Sequence, residues 1–82
     1  MNKAQAGLIL VTGSAGRIGQ AVIRELASHG HRVRGFDRLP TKGLADHIVA
    51  DITDRAAVRT AMQHAEIVIH LAATPDDVDD PV

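Results

Sequence analysis

Between Thr12 and Gly19 the chain reads Thr-Gly-Ser-Ala-Gly-Arg-Ile-Gly, which sets glycines at 13, 16 and 19 directly behind the apolar run Leu8-Ile9-Leu10-Val11. The chemistry open to such a stretch is anion binding by main-chain N–H groups. Gly13 lets the chain turn off a strand, Gly16 lets backbone come close to a diphosphate, and Gly19 lets the following helix lie close to the sheet. Ser14, Ala15, Arg17 and Ile18 complete the cradle. A phosphate there gains from the free N–H groups of the first helical turn and from the positive end of the helix dipole, about 0.3–1 kcal/mol when exposed and more when partly buried. The alternative is a glycine-rich turn of an ordinary α/β unit.

The spacing departs from the G-x-G-x-x-G of the commonest dinucleotide fingerprint, so its context carries the argument. A buried-type strand precedes the glycines and a helical pattern follows. An acid, Asp37, comes after the last glycine at roughly the 20-residue distance at which ribose-binding acids stand.

The elements that must position these residues follow from periodicity. Leu8 to Val11 is apolar without alternation, as in a central parallel strand covered on both faces. From Arg17 to His29, Ile18, Val22 and Leu26 form a helical stripe, widened by Ala21 and backed by Ile23 and Ala27, and Gly30 supplies the stop. Arg32 to Asp37 reads as a second strand with Asp37 at its carboxyl end, where parallel sheets hold ligands. There Asp37 is placed to accept from ribose hydroxyls, which favours NAD, or else it initiates a turn. Arg38 beside it is placed to pair with a 2′-phosphate, which keeps NADP open.

Leu39 to Asp46 holds a proline and a glycine, so the crossover is an abbreviated one without a full helix. His47 to Ala50 is a short third strand and Asp54 to Ala65 a second helix, with Val58, Ala61, Met62 and Ala65 on one apolar face and Met62 in the core. Glu66 to Leu71 is a fourth strand, in which His70 is a hydrogen-bonded packing residue before it is a ligand or acid. Residues 1–73 thus form one nucleotide-binding unit, preceded by a loose lead-in at Met1 to Ala6, and residues 74–82 an acidic loop or tail. The tail's four aspartates lack calcium-loop spacing.

Composition narrows the partners. The chain has 82 residues, net charge −1, no cysteine and a single aromatic residue, Phe36. It therefore lacks the basic field and stacking platforms that hold nucleic acid, and the thiolates of disulfides or metal sites. Ala6 to Val11 falls short of a signal peptide, and no run approaches a membrane span, which makes the cytoplasm the default location.

Thr12, Gly13, Gly16 and Gly19, with Asp37, Asp51-Ile52 and His70-Leu71-Ala72-Ala73, make the chain resemble the extended branch of the short-chain dehydrogenase/reductase superfamily, the NAD-dependent epimerase/dehydratase type. The resemblance implies the N-terminal half of a Rossmann-type doubly wound parallel sheet, α/β in class, three-layered, with strand order 3-2-1-4. It implies that Asp51 meets the adenine amine and Ile52 covers the ring, although Asp51 also suits a helix cap. It further brings Leu71, Ala72 and Ala73 near the nicotinamide-side ribose, where tight packing explains the alanines equally well.

The family's chemistry also needs a Tyr-x-x-x-Lys pair, and this sequence has no tyrosine. The expectation is an NAD(P)-binding portion of an oxidoreductase or sugar-nucleotide epimerase/dehydratase, the N-terminal part of a longer enzyme and inactive alone. The alternatives are a non-catalytic NAD(P)-sensing module and an inert remnant. With no strand beyond the fourth, the fourth-strand edge is left open to self-association.

Overall fold

The structure is a computed structural model that describes residues 7–72. The predicted lead-in, the acidic tail and Ala73 lie outside the described residues.

Six elements follow in chain order: β1 (Leu8–Thr12), α1 (Arg17–Ser28), β2 (Arg32–Asp37), β3 (His47–Val49), α2 (Arg55–Ala61) and β4 (Ala65–His70). The strands form one sheet in order β3-β2-β1-β4. Every pairing is parallel, with Leu8 beside Arg32 and Ala65, and Thr12 beside Phe36 and His70. This is the order and class expected from the sequence.

β1 is buried along its whole length, which is why it lacks alternation. Ile9 and Val11 pack with Val33 and Ile23 of α1 on one face. Leu10 packs with Phe36 and Ala61 of α2 on the other. The glycine turn that follows β1 is therefore anchored to the most enclosed strand of the molecule.

The face α1 turns inward differs from the expected stripe. Gly19 and Ile23 are buried and Val22 and Leu26 pack at the margin, whereas Ala21 is exposed and Ile18 is 68% exposed. The physical reason is the helix face: Gly19, Val22, Ile23 and Leu26, spaced i, i+3, i+4 and i+7, are the residues turned inward, and Ile18 falls off that face. The helix stops as expected, with the His31 N–H returning to the Leu26 carbonyl at 3.1 Å and Gly30 at φ +83°.

Between β2 and β3 there is no helix, as the proline and glycine predict. Leu44 from this connection packs against the Ile9–Val11–Ile23–Val33 cluster in its place. α2 is capped by Asp54, whose carboxylate accepts from the Ala57 N–H at 3.1 Å.

α2 is shorter than the predicted Asp54 to Ala65. The Gln63 N–H turns back to the Thr60 carbonyl at 3.2 Å, His64 takes φ +68°, and Ala65 already opens β4 beside Leu8. Arg34 of β2 fastens this end, its Nη1 donating to the Ala61 carbonyl at 2.8 Å and to that of Gln63 at 3.1 Å. Met62, expected in the core, follows the last helical turn and is 49% exposed. β4 is the outer strand beside β1 and stays largely open, with Ile67 54% exposed.

Candidate functional site

The Gly13–Gly16 turn is held from three sides. From β2, the Phe36 carbonyl accepts the N–H groups of Gly13 at 2.8 Å and Ser14 at 3.3 Å. Asp37 Oδ2 accepts the Ala15 N–H at 2.9 Å, while its Oδ1 accepts that of Leu39 at 3.2 Å. Asp37 is thus both a turn residue and a carboxylate docked on the glycine turn, at the carboxyl end of β2.

From the interior, Ser14 Oγ meets Thr41 Oγ1 at 2.6 Å with both side chains buried. With its N–H on the Phe36 carbonyl and its hydroxyl paired to Thr41, Ser14 shapes the turn rather than donating to a ligand. Room for this hydroxyl comes from Gly35, where a Cβ would lie 2.7 Å from Ser14 Oγ. Periodicity did not single out Gly35 or Thr41. The available signal was a glycine inside a strand, which marks a close approach.

From β4, Thr12 Oγ1 lies 2.7 Å from His70 Nδ1 and accepts the N–H groups of Leu71 at 3.0 Å and Ala72 at 3.2 Å. The Leu71–Ala72 peptide is thereby drawn over Gly13. A Cβ on Gly13, at φ +75°, would lie 2.8 Å from Leu71 C and 2.9 Å from Ala72 N. Gly19 serves a different contact from the predicted one. Its missing side chain makes room for the turn itself rather than the sheet, since a Cβ there would run into the Gly13 carbonyl oxygen and stand 2.9 Å from Ser14 Cα. Gly16 faces open space: a Cβ there would have only the Gly13 carbonyl oxygen nearby, at 3.5 Å.

Around this turn is a cavity of about 310 Å³ lined by Gly13, Gly16, Arg17, Ile18, Gly19 and Leu71. Gly16 caps α1 with no side-chain hydrogen bond, and no acid stands in the first turn. The N–H groups of Arg17, Ile18 and Gly19 have no carbonyl a turn earlier within the helix. Arg17 adds a cation at the positive end of the dipole, an unfavourable placement of about 0.3–1 kcal/mol unless an anion sits between them. The donor set, the cavity and the misplaced charge together fit a diphosphate.

Arg38 Nη1 stands 4.0 Å from Asp51 Oδ2, which brings the second and third predicted contacts side by side. Asp51 accepts from the Thr53 N–H at 2.9 Å and its hydroxyl at 2.8 Å. These bonds, with a smaller contribution from the Arg38 charge, hold its carboxyl below the ordinary 3.8. The cap of α2 is Asp54, so Asp51 has no capping role. Ile52 is not brought to the glycine turn. It borders a separate cavity on α2 with Arg55, Val58, Arg59 and Met62 and packs against the Leu10–Phe36–Ala61 cluster.

A parallel sheet in this order, with a glycine turn and a helix start at the carboxyl end of its central strand, is a Rossmann-type nucleotide-binding architecture. The sequence model of the NAD dependent epimerase/dehydratase family matches residues 9–81, and the chain belongs to that family.

Among similar proteins, a 3-beta-hydroxysteroid dehydrogenase of Mycolicibacterium neoaurum is 39% identical over 75 residues, covering 85% of this chain and 20% of that protein. An NAD-dependent glucose-6-phosphate dehydrogenase of Haloferax volcanii is 36% identical over 74 residues, covering 82% and 28%. A short-chain dehydrogenase/reductase superfamily protein of Agrobacterium tumefaciens, solved with bound NAD, superposes with a TM-score of 0.78 at 41% identity, over 88% of this chain and 23% of that one. The chain thus spans between 20% and 28% of the length of these relatives. Among the described residues, no helix is long and apolar enough to cross a membrane.

Proposed function

We propose that this chain binds NAD and forms the cofactor-binding portion of an NAD-dependent oxidoreductase or sugar-nucleotide epimerase/dehydratase. One observation carries the reading: free N–H groups and the Arg17 cation converge on a cavity whose floor is glycine backbone. The dinucleotide's diphosphate lies against Gly13, Ser14, Gly16, Arg17, Ile18 and Gly19, with Gly16 presenting its bare face. The Asp37 carboxylate, already receiving the Ala15 N–H, takes ribose hydroxyls on its remaining lone pairs. A 2′-phosphate would meet that charge, so NAD is preferred over NADP, while Arg38 leaves NADP a weaker ligand.

Asp51 accepts from the adenine amine, the lowered proton affinity of its carboxyl keeping it an acceptor. Leu71, Ala72 and Ala73 border the nicotinamide-side ribose. The bound nicotinamide supplies hydride transfer. This chain's residues hold and orient it, and, lacking tyrosine, supply no phenolic proton carrier.

Titration calorimetry with NAD tests the reading. Wild-type chain releases heat and Gly13→Val does not, because a branched side chain there collides with the Leu71–Ala72 peptide. No heat from the wild type with either NAD or NADP would overturn it. We also propose that the open β4 edge pairs with a second copy of the chain.

A further inference from the structure

The Thr12 hydroxyl allows a proton count. It has one proton to give and two lone pairs to offer. The N–H groups of Leu71 and Ala72, at 3.0 and 3.2 Å, have nothing to do but donate, and they occupy both lone pairs. The hydroxyl proton must then go to His70 Nδ1 at 2.7 Å, so Nδ1 is bare and the ring carries its proton on Nε2.

We propose that His70 is a positioning residue whose bare Nδ1, through Thr12, holds the Leu71–Ala72 peptide against Gly13, and that protonating the ring loosens this wall of the cofactor cavity. A proton on Nδ1 turns it from acceptor to donor. Three donors then converge on an oxygen with two lone pairs, and the hydroxyl proton has no acceptor left. Thr12 is 4% exposed, so water does not readily take up the difference. Leu71 keeps a second acceptor in the Thr12 carbonyl at 3.1 Å. Ala72 has no such second bond among the described residues, and its N–H is the group released.

His70 itself is exposed, so protons reach it. The strand paired with β4 is β1, whose Leu-Ile-Leu-Val-Thr holds no titratable side chain. Of the helices whose clusters Ile69 and Ala65 join, α1 carries Arg17, Arg24 and Glu25 and α2 Arg55 and Arg59, none of which bonds the His70 ring among the described residues. On β4 the other titratable group is Glu66, which sits in the register shift between the Leu8–Ala65 and Ile9–Ile67 pairs, about 13 Å along the strand from His70 at ~3.3 Å per residue. Arg17 lines the cavity that Leu71 closes. The hydrogen-bond count, rather than a neighbouring charge, therefore couples the ring to the wall.

The inference rests on the cofactor reading for one of its two measurements. Long-range 1H–15N spectra of the chain at about pH 8 are expected to show Nδ1 bare, and the Ala72 amide is expected to shift together with the His70 ring as acid is added. Over the same titration NAD affinity falls about fivefold, the effect of one lost hydrogen bond. His70→Asn, whose Oδ1 accepts the hydroxyl but does not titrate, keeps binding and flattens that dependence relative to wild type.

A protonated Nδ1 at pH 8, an Ala72 amide indifferent to the ring, or a His70→Asn profile as steep as wild type would each overturn the proposal. Absence of NAD heat at every pH, with the Ala72 shift intact, would instead overturn the cofactor reading and leave the coupling standing.

Discussion

Gly13 and Gly43 offer a controlled comparison, because they share a positive φ and differ in surroundings. Gly13 has φ +75° and Gly43 φ +77°. An alanine at either pays the left-handed strain of a side chain, about 1 kcal/mol after the loss of unfolded-state freedom is credited. At Gly43 nothing lies within 4 Å of the added carbon, so the strain is the whole effect. At Gly13 the carbon would also stand 2.8 Å from Leu71 C, 2.9 Å from Ala72 N and 3.0 Å from the Leu71 oxygen, all main-chain atoms that no rotamer change moves aside.

Overpacking of this kind adds about 1–3 kcal/mol. Gly13→Ala should then be less stable than Gly43→Ala by about 1–3 kcal/mol, out of a total that for this length is only about 4–12. Urea unfolding followed by far-ultraviolet circular dichroism measures the gap, which corresponds to a difference in Tm of roughly 5–20 °C. Equal losses in the two variants would refute the claim that the Leu71–Ala72 peptide is closed over the glycine turn.

Asp37→Ala should weaken NAD more than NADP in parallel calorimetric titrations, since it removes the ribose acceptor and the charge that opposes a 2′-phosphate; equal loss for both removes the argument for NAD preference. Asp51 has its proton affinity lowered by folding, so its contribution to stability is present above about pH 3.8 and is lost as pH falls through the folded value. Asp51→Asn should accordingly show a shallower fall in urea midpoint than wild type below that pH, and superimposable curves would show that the Thr53 bonds do not stabilise the fold. Val68→Lys, which places a charge at the centre of the β4 edge, should abolish any concentration dependence in sedimentation of the wild-type chain.

The features legible in the sequence were those written in local residue chemistry. Unbroken apolar runs marked β1 and β4, the glycine of Leu39 to Asp46 marked a connection without a helix, and Asp37 stood where a strand's carboxyl end was expected. What escaped depended on which face or neighbour the fold presents. A stripe through Ile18, Val22 and Leu26 and one through Gly19, Val22, Ile23 and Leu26 read almost alike by periodicity, but the second is the face turned inward. Met62 continues the apolar spacing of α2, yet the turn back to β4 carries it out to solvent.

The bond between Ser14 and Thr41 crosses 27 residues and carries no local signature except the glycine at 35 that makes room for it. Ile52 packs against the Leu10–Phe36–Ala61 cluster and borders a cavity on α2, contacts that adjacent letters do not display.

The walls of the glycine turn close at different chain separations, and that sets an order of assembly. Ala15 reaches Asp37 across 22 residues, whereas Thr12 meets Leu71 across 59. The longer closure carries roughly 0.9 kcal/mol more entropy loss, and on a ribosome its partner emerges some seconds later, at about 5–20 residues per second. During that interval Leu8 to Val11 has one neighbour and one bare flank, which makes the nascent chain's window for misassociation a property of its connectivity. A chaperone that shields this segment until Ala65 to His70 arrives would raise yield without altering the final stability.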